Sequence, residues 1–147
     1  MGTWPDMEQT LTDILNAAWT QANVDSARTT YINEKDEEKR VALSNQDVVL
    51  PYFVSSTAEE IGLIRQHLER HDRGAIDVIT IESRTVLQKL CKEVERIMYA
   101  SYKSPTTKPS GAQYHVLRPL QWTRVADYVN FWKYTLEVEG IAHWESR

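Results

Sequence analysis

The sequence predicts an α+β fold: a mostly antiparallel sheet of four to five strands, packed against a long central helix and an N-terminal helix. Three observations lead there. Ile76, Val78, Ile79 and Ile81 crowd β-branched side chains into one short run. Such a run reads as a largely buried strand, because branched side chains fit a pleated sheet better than a helix. Directly after it, Val86, Leu87, Leu90, Cys91, Val94, Ile97 and Met98 recur at spacings of three and four, which puts them on one face of a helix. Near the C-terminus, Trp132, Tyr134, Leu136 and Val138 alternate with Lys133, Thr135, Glu137 and Glu139. Period two with one polar face marks an antiparallel strand wetted on one side.

The first helix is expected over Asp6 to Trp19. Met7, Leu11, Ile14, Leu15, Ala18 and Trp19 form its stripe, and Asp6 with Gln9 resembles a capping box. Asn23-Val24-Asp25-Ser26 reads as turn material and Arg28 to Asn33 as a short strand through Tyr31 and Ile32. Glu34 to Arg40 is a run of seven charged residues of both signs. A solvated loop is the plain reading; an electrostatic rim that orients a partner is the functional one. Val48 to Val54 reads as a strand, and Pro51 inside it argues for an edge or a bulge, since proline donates no ladder hydrogen bond. Ala58 to Arg70 carries a weaker helical stripe, Ile61, Leu63, Ile64 and Leu68, interrupted by Gly62, and reads as a helix or a long structured loop.

In the junction Glu82-Ser83-Arg84-Thr85, Ser83 or Thr85 is expected to cap the central helix, with Lys89, Lys92, Glu93, Glu95 and Arg96 on its outer face. Lys103 to Gly111 is rich in proline, serine and threonine and reads as a mobile loop. Strand-like stretches follow around Val116 and Trp122, bent at Pro119, with a hairpin turn at Ala126-Asp127 and a short tail from Ile141.

The chain has 147 residues, consistent with one domain over 1–147. Net charge is −4 and the sequence pI about 5.6, the wrong balance for a protein that grips phosphate backbones. No apolar run approaches the ~20 residues of a bilayer crossing, and Met1-Gly2-Thr3-Trp4-Pro5-Asp6 has no signal-peptide character. The single cysteine, Cys91, lies in the apolar stripe and reads as a small buried hydrophobe. The expectation is a soluble chain of a reducing compartment, outside the membrane.

Signatures of catalysis are sparse. His67 and His71 have the spacing of two helical zinc ligands, but Leu68 stands where a metalloprotease helix needs glutamate. Five glycines leave little room for a phosphate loop, and no nucleophile elbow occurs. No cofactor, metal or enzymatic activity is expected. Tyr114, Trp122, Tyr128, Phe131, Trp132, Tyr134 and Trp144 crowd the last third. Most are expected in the core, with Phe131, opposite in phase to Trp132, exposed as a contact residue.

Four stretches carry a resemblance: Asn16-Ala17-Ala18-Trp19 followed by Asn23-Val24-Asp25; the run Ile76 to Thr85; the helix segment Leu90 to Met98; and the closing strand Trp132 to Val138. In order and spacing the chain resembles the tail-terminator and tail-completion (tail-to-head joining) proteins of tailed bacteriophages and their archaeal relatives. The resemblance implies a structural virion protein of the neck, assembled in the host cytoplasm. It implies a homo-oligomeric ring, usually a hexamer, whose partners are its own copies, the tail tube protein and the head-connector or adaptor protein. DNA would be only passing cargo. An adaptor or minor tail protein is the neighbouring reading, and a small metal-dependent enzyme at His67 and His71 the distant one. The family has no catalytic residues to carry over. Candidate interface residues are Glu34, Lys35, Asp36, Glu37, Arg73, Arg84, Lys103, Lys108, Phe131 and Lys133.

Overall fold

The computed structural model describes residues 5–24, 28–33, 46–60, 67–102, 114–128 and 131–145; at 59–60, 67–68, 124–128 and 143–145 it describes the backbone course alone. The elements are α1 (Met7–Ala18), a 3₁₀ turn (Gln21–Asn23), β1 (Thr29–Ile32), β2 (Gln46–Glu60), β3 (His67–Thr80), α2 (Arg84–Ala100), β4 (Val116–Tyr128) and β5 (Phe131–Glu145). The strands form one five-stranded sheet in the order β1-β2-β3-β5-β4. Only β1 and β2 run parallel; the other three pairings are antiparallel. The class is therefore α+β, as the periodicities predict.

Both helices begin where their caps dictate. The Asp6 carboxylate accepts the Gln9 amide at 3.2 Å and the Ser83 hydroxyl accepts the Val86 amide at 3.2 Å, so Ser83, not Thr85, closes the start of α2. Helix α1 lies over β1, β2 and β3, and α2 over β3, β4 and β5. Their stripes meet Val49, Ile76, Val78, Leu117, Leu136 and Val138 in one buried cluster. Each fully buried aliphatic side chain there contributes about 1.5–3 kcal/mol. Glycines set how closely the layers approach. A Cβ on Gly74 would lie 2.7 Å from Met7 Cγ, and one on Gly140 would lie 2.7 Å from the Tyr114 ring.

Several expectations are corrected. The segment 58–70 is not helical where described: Ala58–Glu60 ends β2 and His67–Arg70 opens β3, paired through Glu60↔Leu68. Its apolar spacing fitted two periods, and long-range pairing chose between them. Residues 61–66 fall outside the described residues. The same pairing undoes the histidine pair. Four residues on a strand set the His67 and His71 Cα atoms ~13 Å apart, against ~6 Å on a helix.

Ala126 and Asp127 are paired strand residues, opposite Lys133 and Trp132, so no turn occurs there. The tail from Ile141 is the end of β5, paired with β3 as far as Glu145↔His67. Ile81 lies beyond β3 and is 38% exposed. Val24, expected in a polar turn, is fully buried, and Ala18 is exposed. Glu93, expected on the outer face of α2, is buried too. Its carboxylate accepts the Thr20 amide at 2.7 Å and the Asn23 side chain at 3.0 Å, with Arg96 across it at 2.6 Å. Arg96 also donates to the Ala18 carbonyl at 2.7 Å, so this pair ties the C-terminal end of α1 to α2. Burial alone would raise the Glu93 carboxyl, but the hydrogen bonds from Arg96, Asn23 and Thr20 outweigh it and hold it below its ordinary value.

Pro51 sits as anticipated. β1 pairs β2 only as far as Val49, so Pro51 lies where the outer side of β2 has no strand beside it, two residues before a register shift at Phe53/Ser55. Pro119 likewise coincides with a register shift in β4.

Candidate assembly surface

Strand alternation gives the sheet a second face, turned away from α1 and α2. From β2 it receives Val48, Leu50 and Tyr52; from β3, His71, Arg73, Ala75, Asp77 and Ile79; from β5, Lys133, Thr135, Glu137, Glu139 and Ile141; from β4, Arg118 and Gln121. The polar side of β5 was expected to be open to water. Instead Thr135 and Glu139 are buried, because cross-strand partners lie on them.

Two clusters build this face. At one end, Asp77, fully buried near the C-terminal end of β3, accepts from the Thr135 hydroxyl at 2.7 Å and pairs with Lys133 Nζ at 3.3 Å. Tyr52 bonds to the same carboxylate; burial first, then the Asp77 charge and that hydrogen bond, push its phenol up to about 12. At the other end, Glu139 is shared among Arg118, Arg73 (Nε at 3.5 Å) and His71 (Nδ1 at 3.9 Å). His71 in turn meets Glu69, and Gln121 donates to Glu137 at 2.8 Å. A carboxylate in a sheet interior needs such partners, since an unpaired buried charge is strongly unfavourable.

The candidate interface residues fall in different places. Arg73 and Lys133 share this face, but the register Lys133↔Ile79 puts them ~20 Å apart along it. Arg84 is the first residue of α2 and exposed. Phe131 opens β5, one residue before the Trp132↔Thr80 pair, and is half-buried rather than exposed. Arg84, Phe131 and Lys133 thus belong to the end of the sheet where β3 gives way to α2. Glu34, Lys35, Asp36, Glu37, Lys103 and Lys108, with the loop Lys103–Gly111, lie outside the described residues. Sequence reasoning missed Tyr52, Asp77, Arg118 and Glu139 as members of one surface. Only Asp77, an acid inside a branched apolar run, carried a visible signal.

The charged groups of this face are paired within the chain. Arg73, Arg118 and Lys133 each have a carboxylate partner, which leaves little free positive potential for phosphate. Among the described residues no group of three or more His, Cys, Asp or Glu side chains is placed to hold a metal ion. The Cys91 thiol is buried on α2; burial and then the Glu95 charge push it up to about 12, so it stays protonated and unreactive at neutral pH. No helix among the described residues is long and apolar enough to cross a membrane.

No family model and no curated protein matches the chain. Among solved structures it is similar to a chain of the virion of a native gene transfer agent (GTA) particle, with 9% sequence identity and a TM-score of 0.57. The likeness covers 91% of this chain and 92% of that one, so the two share a fold over nearly their whole lengths.

Proposed function

We propose that this chain is a structural protein of a tailed virion, acting without catalysis as a single domain at the junction of neck and tail. In this reading its copies form a ring, a hexamer by family expectation, that ends the tail tube and joins it to the head connector. The observation that carries the reading is the shared fold with a gene transfer agent virion chain, over 91% and 92% of the two lengths. The stretches that resemble tail terminators support the finer placement, since where described they fall on the end of α1 and the 3₁₀ turn after it, on the β3–α2 junction, on α2 and on β5.

The electrostatics agree with such a role. A net charge of −4 and basic groups engaged by carboxylates let DNA pass without adhering. A closed ring needs two different patches that meet head to tail, and an open sheet has two unlike edges to offer.

Native mass spectrometry of the purified chain, with and without tail tube protein, tests the reading. The expected result is the mass of a closed ring, formed alone or on the tube as template. A ring that binds connector protein and ignores the tube would move the chain to an adaptor role. A monomer that ignores both would overturn the proposal, and zinc retained on it would point to the metal-dependent alternative.

A further inference from the structure

We propose that the far half of β2, Val54–Glu60, is an open sheet edge on which a second copy of this chain lays its β4. The inference rests on the ring reading and names its contact. β1 covers the outer side of β2 only along Gln46–Val49. The next positions are blunted: Pro51 has no N–H to offer, and the Phe53 amide donates to Glu8 Oε1 of α1 at 3.0 Å. Beyond Phe53 the blunting stops. Val54-Ser55-Ser56-Thr57-Ala58 has no charge, proline or glycine, and all five residues are exposed. The ladder to β3 is regular from Ser55↔Arg73 to Glu60↔Leu68, so the outer edge is straight, and among the described residues no strand lies beside it. Edges left in water usually carry lysine, proline or a bulge against unwanted pairing; past the register shift at Val54, Ser55–Ala58 has none.

The occupant follows from the opposite side of the sheet. β4 is the other outer strand, paired among the described residues only with β5. Its register shifts at Pro119/Gln121 and Arg124/Ala126 leave Gln121–Arg124 as a regular stretch of free edge. Two different edges on opposite sides of one sheet make a heterologous contact, the kind that closes into a ring. The charges match as well. By position along the strands, the acidic residues 59 and 60 end the uncovered part of β2 and the basic residue 124 ends that of β4. Phe53 and Val54, 43% and 54% exposed, supply apolar surface at the start of the contact. A ladder this short is weak alone and suits subunits that stay apart until the tube gathers them.

The test uses the full chain with tail tube protein, read by native mass spectrometry and amide hydrogen exchange. In the wild type, exchange at 54–60 and 121–124 is expected to slow at least tenfold on assembly. Thr57→Lys, which places a charge on the edge, is expected to abolish the ring while the monomer melts as before. Glu59→Arg with Glu60→Arg is expected to weaken assembly tenfold or more, and Arg124→Glu in the same chain to restore part of it. A ring that forms normally in these variants, with unchanged exchange at 54–60, would overturn the edge contact and leave the ring reading standing. Failure of the wild type to assemble would overturn both. Protection of 54–60 by tube protein without a ring would overturn the second copy as occupant.

Discussion

On the helix side of the sheet, Ile76, Val78, Leu136 and Val138 meet the stripes of α1 and α2 as apolar surface against apolar surface, spaced by Gly74 and Gly140. On the other side the same strands present Asp77, Glu137 and Glu139, which are drawn in by Lys133, Thr135, Arg73 and Arg118. The first face is held by volume; the second adds charge pairing to the buried Val48, Leu50 and Ala75. Volume errors are felt wherever a side chain is fully enclosed. Pairing errors matter only where a charge is buried, because water replaces a lost partner at the surface.

The largest expected effect of breaking this contrast is on the helix side. Leu90→Ala removes a fully buried side chain of α2 and should destabilise the fold by about 2–5 kcal/mol in denaturant unfolding. Gly140→Ala comes next. Its new Cβ must displace the Tyr114 ring and the Met7 methyl, at an expected loss of about 1–3 kcal/mol. A neutral result would mean that the two layers have room to part.

The paired face should divide by depth. Lys133→Ala leaves the fully buried Asp77 without its cation, an expected loss of about 1–3 kcal/mol by the same assay. Arg73→Ala, whose side chain is 48% exposed, should change stability by less than about 1 kcal/mol. Equal losses for the two would contradict the claim that burial decides their worth.

Acid sharpens the contrast in a different way. The folded-state pKa of Glu93 is held below its unfolded value, chiefly against burial and by the hydrogen bonds of Arg96, Asn23 and Thr20. Its contribution is therefore present above the ordinary carboxylate range and lost as pH falls through the folded value. Thermal melts of wild type and Glu93→Gln should differ most near neutral pH and converge in acid. A gap that widens in acid would reverse the assigned shift.

The helices were legible because their signals are local. Caps act over three residues and the stripes recur within a turn, so Asp6 and the run Leu87 to Met98 could be read directly, and the α2 cap narrowed to Ser83 or Thr85. The strand lengths were not. The readable part of β5 ended near Gly140, where the alternation breaks, yet the strand continues to Glu145 because β3 is long enough to pair with it. Glu93 was misplaced for a related reason. Its spacing fits the outer face, but the α1 turn at Thr20 to Asn23, some seventy positions away in sequence, supplies the hydrogen bonds that let it be buried.

The sequence by itself determined the class, the two helices with the cap of the first, the burial of Cys91 and the acidic balance that disfavours nucleic-acid gripping. All follow from composition or from contacts within a few residues. Only the tertiary structure decided that 58–60 and 67–70 are strand, that Asp77 and Glu139 are buried partners of Lys133 and Arg118, and that β2 outruns β1. Those features depend on register between distant strands. A strand's side-chain period is two whichever neighbour it has, so alternation reveals which residues share a face but not what they face.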